Sequence, residues 1–83
     1  MTDTDDRTPL GARIMRARVA ADLSQYRPAI LLDVTPTTVQ GWERGRTEPR
    51  VSDLERIATA TRAPLGWLAT GEGHGPAERA AGL

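Results

Sequence analysis

The sequence predicts an all-α domain. Three observations point there: apolar residues recur at helical spacing, capping residues and prolines punctuate the chain at short intervals, and no segment reads as a strand. Thr8-Pro9 sets a capping hydroxyl before a proline at the first helical position. Leu10, Ile14, Ala17 and Ala21 follow on one face, and Asp22 ends this first helix where glycine is usual. Ser24 caps a second helix over about 25–32. Asp33-Val34-Thr35-Pro36 joins a tight turn to another cap and another first-position proline, opening a short third helix over 36–43 that stops near Gly45. Ser52-Asp53-Leu54-Glu55 has the form of a capping box, and Leu54, Ile57, Ala58 and Thr61 make one face of a fourth helix. Pro64 opens a brief fifth helix with Leu65, Trp67 and Leu68. From Gly71 the run Gly-Glu-Gly-His-Gly-Pro reads as a linker, and residues 76–83 have room for a turn or two of helix at most. The expected division is an acidic tail over 1–7, a helical domain over 8–71 and a flexible tail over 72–83.

Composition removes several classes of function. The 83 residues include no Cys, so a disulfide framework, a thiolate metal site and a Cys nucleophile are excluded. One His and two Ser leave almost no material for a Ser-His-Asp triad, and nothing suggests an enzyme, a metal or a cofactor. His74 stands alone in a Gly-rich segment. The longest apolar run, Ala29 to Leu32, is too short for a bilayer, and the acidic start is unlike a signal peptide, so no membrane association is expected.

The formal charge of zero hides an uneven distribution. Residues 1–6 carry net −3, residues 7–70 hold ten Arg against six acids for net +4, and residues 71–83 carry net −1. A basic centre suits a polyanionic partner better than a whole-chain pI near 6.6 suggests. Every basic residue is Arg, which suits planar recognition of phosphate and equally reflects compositional bias.

The two short helices over 25–32 and 36–43, joined by about three residues, form a helix-turn-helix pattern. Eight helical residues span about 12 Å, close to the width of the DNA major groove. Val39 and Trp42 should face the core, leaving Thr37, Gln40, Gly41 and Arg44 on the polar side. Short helix pairs are common in all-α domains, so the pattern by itself leaves DNA binding as one reading among several.

The residues narrow the choice. Leu23-Ser24-Gln25, Ala29 with Leu32, Val34-Thr35, Val39, Trp42-Glu43-Arg44-Gly45, Glu48-Pro49 and Trp67-Leu68-Ala69-Thr70-Gly71-Glu72 stand in order. Together they closely resemble the Cro/repressor-type (XRE) helix-turn-helix family over about residues 10–72, and alignment to that family would start the fourth helix a residue or two earlier than the Ser52 capping box does. The resemblance implies a five-helix, lambda-repressor-like domain that binds double-stranded operator DNA, usually as a homodimer, in the cytoplasm of a bacterial host.

Carried over by position, the resemblance puts Pro36, Thr37, Gln40 and Gly41 at base edges and Gln25, Thr35, Thr38, Arg44, Arg46 and Arg50 at phosphates. Thr35 also caps the third helix, and Gln25 heads the second, where free N–H groups favour anions. Arg18 and Glu43 match an ion pair tying the first helix to the end of the third. Trp42 and Trp67 are expected in the core, and Leu65 and Leu68 in the dimer contact, because little chain remains to cover them. Pro28 departs from the family pattern and should distort the first turn of the second helix. Asp33 and Arg62 replace turn glycines and should take positive φ. The recognition surface is poor in long side chains, and Gly41 suggests a helix lying deep in the groove, so phosphate placement and DNA shape should carry much of the specificity. The leading expectation is a dimeric operator-binding transcriptional regulator. The second is a module such as an antitoxin or antirepressor that turns the same fold on a protein partner.

Overall fold

The computed structural model describes residues 8–23 and 33–76; the expected second helix, with Ser24, Gln25 and Pro28, lies outside the described residues. Four helices stand within them: α1 (Leu10–Ala20), α2 (Pro36–Glu43), α3 (Val51–Thr61) and α4 (Leu65–Thr70). Each begins at or within two residues after a proline, at Pro9, Pro36, Pro49 and Pro64, and each is followed within two residues by a positive φ, at Asp22, Gly45, Arg62 and Gly71. Proline fixes φ where no helical N–H acceptor exists, and a left-handed residue turns the chain off the axis, so both ends are set locally.

The C-terminal ends use two devices. After α1 the Asp22 N–H donates to Val19 O (2.9 Å) and the Leu23 N–H to Arg18 O (3.0 Å). After α2 the Gly45 N–H donates to Trp42 O (3.1 Å) and the Arg46 N–H to Gly41 O (2.9 Å). Both are Schellman closures, one on aspartate and one on glycine. α3 and α4 each end on threonine instead. The Thr61 hydroxyl donates to Ile57 O (2.7 Å) and accepts from the Ala63 N–H (3.3 Å). Thr70 repeats this with Gly66 O (2.8 Å) and the Glu72 N–H (3.3 Å). Asp33 and Arg62 take φ of 59° and 64°, as their replacement of glycine predicted.

Two N-terminal caps differ from expectation. Pro9, not Thr8, occupies the cap of α1, with no side-chain hydrogen bond. α3 starts at Val51 rather than after Ser52, because the Asp53 carboxylate accepts from the Arg50 N–H (3.0 Å) and so sits three residues into the helix.

The core is built from Ile14 and Ala17 of α1, Val39 and Trp42 of α2, Leu54 and Ile57 of α3, Ala63, and Trp67 and Leu68 of α4. α1 packs against all three other helices, and α3 packs against α4. Its approach to α2 is backbone to backbone: a Cβ added at Gly11 would stand 2.6 Å from both Trp42 O and Glu43 O. Its approach to α4 runs through the buried Arg13, whose Nε donates to Leu68 O (3.0 Å) and Nη2 to Ala69 O (3.2 Å), while Nη1 donates to Thr8 O. A guanidinium on the last carbonyls of a short helix satisfies acceptors that have no helical donor and complements the negative end of its dipole.

The chain after α4 is not loose throughout. A Cβ added at Gly75 would lie 2.7 Å from the Trp67 ring, so the segment expected to be a free linker closes one side of that indole. The Arg16 guanidinium lies over the same ring, 5.6 Å from its centre. No helix among the described residues is long and apolar enough to cross a membrane.

Candidate nucleic-acid interface

α2 is held from behind and open in front. Its start is fixed by Thr35, whose hydroxyl accepts from the Thr38 N–H (3.2 Å), and by Pro36 at the first helical position. Val39 and Trp42, 2% and 4% exposed, anchor it to the core. Thr37 is exposed on the other side, with Gln40 and Gly41 half-buried beside it.

The Schellman closure after Glu43 sends the chain back along α2 toward α3. Thr37, Gln40, Gly41, Arg44, Arg46 and Arg50 thereby line one open concavity of about 600 Å³. The three arginines are exposed. Glu48 and Asp53 share the concavity, but the Asp53 carboxylate is engaged with the Arg50 main chain. The Glu43 carboxylate is drawn away behind α2. Arg18 Nε and Nη2 donate to its two oxygens at 2.7 and 3.1 Å, and its side chain is 1% exposed. This two-pronged pair leaves Arg44 as the outward charge at the end of the helix. Arg18 Nη1 also donates to Leu23 O (3.1 Å), so one side chain ties α1, α2 and the exit from α1 together.

The sequence-predicted residues therefore separate. Thr37, Thr38, Gln40, Gly41, Arg44, Arg46 and Arg50 share the concavity, while Thr35 acts at its edge as a cap and Pro36 is half-buried. The Thr38 hydroxyl pairs with that of Thr35 (3.0 Å). Gln25 lies outside the described residues. The dimer expectation needs correction at one residue. Leu68 is 0% exposed inside its own chain, held under α1, and has no surface to give a partner, whereas Leu65 is 40% exposed. Gly41 also differs from expectation. The space beside it is taken by Thr47 of the same chain, whose hydroxyl would lie 3.1 Å from a Cβ there. Arg13, Gly11 and Thr47 were not singled out from sequence. Gly11 in the first turn of α1 carried the only local hint, since a glycine in a helix costs stability unless something needs the room.

The comparisons agree with this geometry. Among curated proteins none matches the chain. The P22 c2 repressor, solved with a synthetic operator, superposes with a TM-score of 0.72 at 25% identity, over 78% of this chain and 98% of that one. The restriction-modification controller protein C.AhdI from Aeromonas hydrophila gives 0.66 at 30% identity, over 71% and 89%. The clp gene regulator ClgR from C. glutamicum gives 0.66 at 25% identity, over 71% and 77%. The helix-turn-helix family model matches residues 14–68, the stretch that carries both the anchored and the open face of α2, and the chain belongs to that XRE-type helix-turn-helix family.

Proposed function

We propose that the protein is a sequence-specific, double-stranded DNA-binding transcriptional regulator that sets α2 into the major groove of its operator. The observation that carries this is the pairing of a buried anchor with an open polar face. Val39 and Trp42 fix the helix while Thr37 and Gln40 stand beside three exposed arginines. Arginine forks suit phosphate, and the small Thr37 suits a base edge, its methyl meeting that of thymine. That the P22 c2 repressor is found on an operator supports the assignment of this face to DNA.

The finer part of the proposal is a homodimer on a palindromic site, with two copies of α2 in successive major grooves about 34 Å apart. Leu65, exposed on α4, is the remaining candidate for the contact. Leu65→Glu should move the protein toward monomer in sedimentation, and an unchanged dimer would place the contact elsewhere.

The test of DNA binding is titration against a fragment carrying the protein's own promoter at several salt concentrations. Affinity should fall steeply with salt, since each neutralised phosphate contributes about −0.9 to the log–log slope. Binding that ignores salt, or no binding, removes the proposal. Thr37→Ala should change which sequences bind, and equal losses on every sequence would remove its base contact.

A further inference from the structure

Gly41 sits in the middle of the helix offered to DNA, where the residue type is costly to the helix itself. It does not leave a hole. Its carbonyl accepts from the Arg46 N–H (2.9 Å) and the Thr47 N–H (3.4 Å), so the returning loop is hung on this one residue. The Thr47 hydroxyl borders the place of the missing side chain, 3.1 Å from where a Cβ would stand. A distance that short is tighter than ordinary van der Waals contact, so a larger residue at 41 crowds the Thr47 side chain and, through it, the seat of the loop. Arg46, next to Thr47, lies on the same concavity as Thr37 and Gln40.

Given the DNA-binding reading above, on which this rests, we propose that Gly41 and Thr47 are positioning residues. Their contact seats the loop flush on α2 and presents Arg46 to the phosphate backbone at a fixed distance from the base-reading side chains. Gly41 thus serves the phosphate contacts and not the bases. A methyl at Gly41 improves the helix and misplaces the loop, so stability and DNA affinity should move in opposite directions.

The experiment uses Gly41→Ala, Thr47→Ala and the double variant. The probes are a random-sequence duplex and the tightest duplex that the wild type selects from a randomised pool. Thermal unfolding of Gly41→Ala should be unchanged or raised. Its affinity should fall several-fold on both duplexes alike, with a log K against log salt slope smaller by about one. Because the two residues act through one contact, the double variant should lose no more than Thr47→Ala alone. A loss confined to the selected duplex with an unchanged slope overturns the inference, and so does undiminished binding to both. A wild type that binds neither duplex removes the DNA-binding reading itself, an outcome seen before any variant is made.

Discussion

Arginines on the two sides of α2 do opposite work. Behind it, Arg13 and Arg18 spend their donors inside the fold, on Leu68, Ala69, Thr8 and Leu23 carbonyls and on the Glu43 carboxylate. In front, Arg44, Arg46 and Arg50 are exposed around a concavity. The residue type is the same and the neighbourhood decides. A guanidinium within reach of helix-end carbonyls or a buried acid becomes a strut. One on a surface loop stays available to an outside anion.

The comparison can be broken most severely at Arg18. Arg18→Met takes the two-pronged guanidinium from the Glu43 carboxylate, 1% exposed, and removing half of a buried pair costs about 3–5 kcal/mol. In so small a domain, urea unfolding should show most of the stability gone. Arg13→Met comes next. It strips donors from the carbonyls that end α4, and buried acceptors left unpaired cost about 1–3 kcal/mol. Arg62 sharpens the contrast, being exposed but held at φ 64°. Arg62→Gly should raise stability by about 0.5–1 kcal/mol, as the left-handed strain of an L-residue is relieved against some loss of chain entropy. Arg46→Ala should have the smallest effect on unfolding, within about 0.5 kcal/mol. It should still weaken binding to every duplex alike and flatten the salt slope by about 0.9. An Arg46→Ala that unfolds the protein, or an Arg18→Met that only weakens DNA binding, would erase the distinction.

Local chemistry made much of this legible in advance. The Thr35 cap with Pro36 fixed the start of α2, and Val39 with Trp42 fixed its buried side, because both depend on near neighbours in the chain. Asp33 and Arg62 take the positive φ that their replacement of the family's turn glycines implies, and Asp22 closes α1 where glycine is usual. The Arg18–Glu43 pair spans 25 residues and was found only through family resemblance. Contacts of longer reach gave no sequence signal. Arg13 meets carbonyls more than fifty positions away, and a carbonyl belongs to every residue, so nothing at Leu68 or Ala69 marks them as its partners. The expectation of Leu68 in a dimer contact failed because its cover comes from α1, not from chain beyond α4. Within the concavity, the residue types on α2 were readable, but the seating of Thr47 on Gly41 depends on how the loop folds back.

The Gly75–Trp67 contact decides where the domain can safely be cut. Truncation at Gly71 would wet one edge of a ring that is otherwise 1% exposed, and would leave Arg16 covering it from a single side. Such a trimmed chain should show red-shifted tryptophan emission before any loss of helix. A tag or fused domain belongs beyond Pro76, where it leaves the indole's lining in place.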